Sequence, residues 1–151
     1  MRDETLERVA ADLLSVPPLI FRLIRRKLVM PALADTDVDI KLLHFEILHV
    51  LKEEGTLHPA KIGELLFVAK AQMTHLIDKL VELDFVKREM DANDRRTINI
   101  TLTDKGARVL EEQDNLVINA VRDNMAALTE VELQTLSSSL RNLRDILFKL
   151  Q

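Results

Sequence analysis

Residues 59–102 read PAKIGELLFVAKAQMTHLIDKLVELDFVKREMDANDRRTINITL, and the change of period inside them decides the fold. Pro59 opens a short helix, because proline in a first turn has no hydrogen bond to lose, and Ile62, Leu65 and Leu66 are its apolar residues. Phe67-Val68-Ala69 makes a three-residue turn, and a second helix follows over residues 70–83. On it Met73, Leu76, Ile77, Leu80 and Leu83 recur at helical spacing and face inward, which leaves Lys70, Ala71, Gln72, Thr74, His75, Asp78 and Lys79 toward solvent. Beyond Asp84 the period drops to two. Residues 85–89 and 97–102 read as strands, the second alternating with Ile98, Ile100 and Leu102 on one face. The polar run from Met90 to Arg96 is the tip of the hairpin between them.

Helices flank this segment on both sides. Upstream, Leu6, Val9, Ala10 and Leu13 have helical spacing, and Ser15, Pro17 and Pro18 predict a break followed by a second run from Leu19 that carries Arg22, Arg25, Arg26 and Lys27. Pro31 and Asp35-Thr36-Asp37 read as a connection, with Asp37 capping a helix that turns Ile40, Leu43, Ile47, Val50 and Leu51 inward and stops at Gly55. Downstream, Thr103 caps a helix over residues 104–126, and Thr129 with Glu132 supplies the capping box of the last one. Leu133, Leu136, Leu140, Leu143, Leu147 and Leu150 then form an apolar seam at spacings of three and four. The fold class is mainly α with a small β-wing: a winged helix-turn-helix domain plus long terminal dimerisation helices. The expected division is 1–34 N-terminal helices, 35–102 winged helix-turn-helix, and 103–151 C-terminal dimerisation helices.

Composition narrows the chemistry. The 151 residues contain no cysteine, which excludes disulfides, thiolate-bound metals and thiol redox sensing. The charged start and the absence of a long apolar run give neither a signal peptide nor a membrane span, so the expected location is cytoplasmic and no membrane partner is expected. The net charge of −4 argues against coating nucleic acid by bulk positive charge. Residues 61–102 are balanced, with seven basic and seven acidic groups, and the acidity lies outside them. His44, His49, His58 and His75 have no i, i+4 pairing, so they read as packed or exposed residues rather than metal ligands. No nucleophile or carboxylate pair gives an enzyme mechanism anything to rest on, and neither metal nor cofactor is expected.

A short helix, a tight turn and a second helix lay that second helix in a DNA major groove, and a hairpin next to it reaches a neighbouring minor groove. Gln72 is suited to a bidentate contact with adenine, Lys70 to guanine or phosphate, and Thr74 and His75 to phosphates or base edges. Such residues occur on any amphipathic surface helix, so the discriminating feature is the wing tip. Asp94-Arg95-Arg96 has little use in folding, since a surface ion pair contributes about 0–1 kcal/mol, whereas an arginine in a narrow, electronegative minor groove has one.

The run from Leu65 to Leu80, then Phe85-Val86-Lys87-Arg88, Asp94-Arg95-Arg96 and Leu102-Thr103-Asp104-Lys105-Gly106, resembles the MarR family of bacterial and archaeal regulators. The resemblance follows nearly the whole chain in helix order, and its specific part runs from Phe45 to Gly106. It implies terminal helices that interlock across a two-fold axis, Arg96 as the minor-groove arginine braced by Asp94, residues 70–79 as the reading helix, and a small anionic aromatic held between the dimerisation and DNA-binding parts. Three positions depart from the pattern: Ala69 replaces a capping serine, Asp84 a glycine, and His58 a threonine or serine. These changes bear on local capping and target preference.

The expected function is a sequence-specific DNA-binding regulator, a repressor acting as a homodimer on double-stranded DNA at a pseudo-palindromic operator. The rival reading is a winged-helix protein-interaction module without DNA binding. For a small-molecule effector the expected site is Arg22, Arg25, Phe45 and Leu48, where an apolar junction lies near basic residues.

Overall fold

A computed structural model describes residues 1–29 and 40–150. Helix α1, Arg2–Leu23, passes directly into a π-helical segment, Ile24–Val29. The break expected at Ser15, Pro17 and Pro18 is absent, and both prolines lie inside α1. Prolines at these positions leave the carbonyls of Leu13 and Leu14 without their i+4 donors, but both residues are exposed and water can take that place. The Ser15 hydroxyl donates to the Ala11 carbonyl at 3.0 Å and so stays within the helix rather than starting another. The expected connection at Pro31 to Asp37, the Asp37 cap and the boundary at residue 34 lie outside the described residues.

Helix α2 is Leu42–Glu54, with Lys41 at its N-cap, and His44 Nδ1 accepts the Lys41 amide at 2.9 Å. Ile40 is buried just ahead of the helix instead of within it. Gly55, at φ +82°, ends α2 in a conformation that costs a residue with a side chain dearly. Helices α3, Pro59–Leu66, and α4, Lys70–Glu82, form the helix-turn-helix. Strands β1, Val86–Met90, and β2, Ile98–Leu102, are antiparallel, with Val86 opposite Leu102 and Met90 opposite Ile98. Leu57 pairs with the other edge of β2 in a single bridge, exchanging both backbone hydrogen bonds with Ile100 at 3.1 and 2.8 Å. Helix α5, Asp104–Met125, starts at Thr103, and α6, Glu130–Phe148, starts at the Thr129–Glu132 capping box.

The buried apolar side chains run from Ile40 to Leu110. Helix α2 lies at the centre and packs against α3, α4, α5 and β2. Ile47, Leu48, Ile62, Leu80, Ile100 and Leu110 are fully buried there, so the wing base and both helices of the helix-turn-helix share one core. Gly106 lets α5 start against the wing, since a Cβ at that position would run into the Phe85 carbonyl oxygen. Helices α1 and α6 have no buried residue.

Candidate nucleic-acid interface

The turn between α3 and α4 is built from backbone contacts. His58 Nδ1 accepts the Ala60 amide at 3.1 Å and so performs the capping that serine or threonine performs elsewhere. The Val68 amide donates to the Gly63 carbonyl at 2.9 Å, and a Cβ on Gly63 would lie 2.9 Å from the Val68 oxygen, so the turn closes tightly onto α3. Phe67 takes the left-handed conformation at the end of α3, with φ 54°. Ala69 supplies no side chain to cap α4, so the first-turn amides of α4 stand without a side-chain acceptor.

Met73, Leu76, Ile77 and Leu80 are buried, and Lys70, Ala71, Gln72, Thr74 and His75 are exposed, the two faces the sequence pattern assigns to α4. Thr74 donates its hydroxyl to the Lys70 carbonyl at 3.1 Å, leaving its lone pairs outward. Lys79 is half-buried and lies 3.8 Å from Glu82, which draws it back along the helix flank. Asp78 is bound by Arg88 of β1. That ion pair joins the second helix to the wing and removes a free carboxylate from the exposed face. It is absent from the sequence reading, because a helix residue and a strand residue ten positions apart carry no local signature of contact.

The wing tip is a chain of aspartate-centred turns. The Asp91 carboxylate accepts the Asn93 amide at 2.8 Å and the Asn99 side-chain amide at 2.9 Å, and these bonds hold its carboxyl below the usual range. Asp94 accepts the Arg96 amide at 3.0 Å and the Thr97 hydroxyl at 3.2 Å, and its oxygen lies 3.5 Å from Arg96 Nε. Asp94 therefore fixes the backbone beneath Arg96 and sits beside its guanidinium, while the arginine side chain remains 94% exposed. The Asp91 brace was readable from Asp91-Ala92-Asn93, an aspartate two residues ahead of the amide it accepts. On β1, Lys87 lies 2.8 Å from Glu89, which raises the lysine's pKa and lowers the carboxylate's. Among the described residues no carboxylate lies within ion-pair distance of Lys70 or Arg95.

Asp84 connects the wing to α5. Its backbone is left-handed, φ 61°, at the position where the sequence pattern favours glycine. Aspartate tolerates this conformation better than most residues, and its carbonyl accepts the Thr103 hydroxyl at 2.6 Å while the same hydroxyl oxygen accepts the Gly106 amide at 3.0 Å.

The four residues expected to hold an effector have different surroundings. Phe45 and Leu48 belong to the core, Arg25 lies over the Phe21 ring at 5.8 Å, and Arg22 is exposed. Phe45 also lines a cavity of about 150 Å³ whose other walls are Leu42, Glu46, His49, Gln113, Asp114 and Val117, not the arginines. His49 Nε2 lies 3.0 Å from Asp114, and His44 is the buried residue at the start of α2.

A short helix and a reading helix sharing one core with a two-stranded wing define the winged helix-turn-helix transcriptional regulators. The family model that matches residues 38–97 is that of the MarR family. The uncharacterised HTH-type transcriptional regulator YwaE of Bacillus subtilis is 30% identical over 101 residues, 67% of this chain and 59% of YwaE, so the match spans less than two thirds of that relative. Apo wild-type MarR from E. coli superposes with a TM-score of 0.74 at 26% identity, over 85% of this chain and 95% of that one. A MarR family protein from Bacillus stearothermophilus shares the fold at a TM-score of 0.77 and 22% identity, over 94% and 97% of the two chains. Residues 38–97 thus match the MarR family, and the chain as a whole has the fold of its solved members.

Proposed function

We propose that the protein binds double-stranded DNA as a homodimer and represses transcription from a pseudo-palindromic operator. Helix α4 enters the major groove. Lys70, Ala71, Gln72, Thr74 and His75 meet base edges and phosphates, and Lys79 contacts a phosphate at the groove edge. Arg95 and Arg96 enter the adjacent minor groove with Asp94 as brace. The observation that carries this reading is the wing tip: a guanidinium almost wholly in solvent above a backbone that two aspartates hold in place. The uncapped amides of α4 support it, since a helix N-terminus favours a phosphate.

The apolar residues that α1 and α6 leave in solvent support the dimer: Leu6, Val9 and Leu13 on α1, and Leu136, Leu140, Leu143 and Leu147 on α6. One solved neighbour, the Multiple Antibiotic Resistance Repressor MarR, supports the sign of regulation. No described helix is long and apolar enough to cross a membrane, in keeping with a regulator that works in the cytoplasm. We also propose a small aromatic or anionic effector at Arg22, Arg25, Phe45 and Leu48, as the family resemblance implies, supported by the exposure of the two arginines. Warming of the unfolding transition by an aromatic carboxylate checks it.

Arg96→Ala is the decisive variant. Its affinity for a duplex that the wild-type protein selects from random DNA is expected to fall roughly five- to hundredfold, with a shallower salt dependence. Unchanged affinity would leave the protein-interaction module without DNA binding as the better reading.

A further inference from the structure

We propose that Phe67 is a specificity-determining contact whose ring packs against the 5-methyl group of a thymine in the major groove that α4 reads. The inference rests on the DNA-binding reading above. The left-handed turn at Phe67 closes α3, but two features of the position give folding no reason to place a phenylalanine there. Its backbone is left-handed, which strains a residue with a bulky side chain and costs glycine or asparagine far less. Its ring is 97% exposed, so the strain is not repaid by burial. The turn cannot relax to hide the ring, because Val68 is hydrogen-bonded to Gly63 at 2.9 Å and the two backbones are at contact distance.

The placement shows what the ring meets. Phe67 lines one open cleft of about 820 Å³ together with His58, Glu64, Lys70 and Thr74. Lys70 and Thr74 lie one turn apart on the exposed face of α4, at its N-terminal end, the end that approaches base edges in a helix-turn-helix. A molecule that engages this end of α4 therefore also meets the ring. The apolar group that bases offer in the major groove is the thymine methyl, and phenylalanine is among the side chains that contact it. His58 and Lys70 beside the ring suit the phosphates that border such a contact.

The test uses the full chain and a duplex that it selects from random DNA, synthesised with thymine or with deoxyuridine in its place, so that only the 5-methyl groups differ. The wild-type protein is expected to lose about fourfold in affinity per substituted half-site, or about fifteenfold with both replaced. Phe67→Gly is expected to bind the thymine duplex more weakly by at least that factor, to show no penalty for uracil, and to unfold no lower than the wild type. Phe67→Asn, which tolerates the same backbone without the ring, is expected to match it. An equal uracil penalty in wild type and variants, no penalty in the wild type, or a lowered Tm in both variants would overturn the proposal while leaving Arg96-dependent binding intact. A selection that enriches no duplex would overturn both readings.

Discussion

The middle of the chain and its two ends handle hydrophobic residues in opposite ways. Between Ile40 and Leu110 the large apolar side chains are buried around α2, and little of the core is open to water. Helices α1 and α6 are comparable in length to the longest helices of that region, are rich in leucine and valine, and bury none of them. A helix with a periodic apolar face owes most of its stability to packing of that face. The contrast bears on the proposed dimer: the winged-helix region packs its apolar residues within one chain, whereas the terminal helices leave apolar faces that a second copy would cover. Stability in the middle should therefore be independent of concentration, and stability at the ends should rise with it.

The largest effect should come from charging the seam. Leu140→Glu with Leu143→Glu is expected to halve the mass seen by light scattering and to weaken operator binding by about a hundredfold or more, as loss of bivalency does. An unchanged mass would break the comparison. Next is the core. Leu80→Ala should cost about 2–5 kcal/mol in the denaturation of the winged-helix region, with the same loss at every protein concentration; a loss that depends on concentration would mean that the middle also needs its partner.

Smaller effects sharpen the picture. Asp84→Gly relieves the left-handed backbone at the wing base and should stabilise by about 0.5 kcal/mol, read from the urea midpoint at an unchanged slope. The smallest concerns the Glu132 carboxylate, which the Thr129 amide, at 2.8 Å, and then the Thr129 hydroxyl hold below the ordinary value of 4.5. A depressed folded pKa gives stability that is present above the ordinary value and lost as pH falls through the folded one. Glu132→Ala should flatten this acid limb in circular dichroism, and an identical limb would show that the capping box contributes nothing there.

What was legible in the sequence follows how local the deciding chemistry is. Gly55, Thr103 and the Thr129–Glu132 box mark their helix ends correctly because a cap acts within one turn. The faces of α4 are legible for the same reason. Pro17 and Pro18 mislead because the rule that prolines end helices assumes that the stranded carbonyls find no other hydrogen-bond donor, and here they face solvent, where water donates. The start of α2 moved because His44, a residue with no strong positional signal, caps Lys41. The π-helical segment has no sequence mark that periodicity detects. At the candidate interface, the exposure of Lys70, Ala71, Gln72, Thr74, His75 and Arg96 was readable, and Lys79 with Glu82 is a local i, i+3 pair of α4, whereas the Asp78–Arg88 link depends on how β1 lies beside α4. His58, Ala69 and Asp84 were recognised as departures, and only the structure shows that His58 still caps and that Asp84 takes the backbone shape of a glycine.

The Asp78–Arg88 ion pair has a geometric consequence for how the protein measures DNA. The pair joins the reading helix to a wing strand that already shares its core through Leu80 and Val86, so in the proposed complex the offset between the groove that α4 enters and the groove that Arg96 enters would follow from the protein's own packing. In that complex the protein would act as a gauge of helical phase: DNA whose twist brings the two grooves to that offset would be bound without distortion, and over- or underwound DNA would bind at a torsional cost.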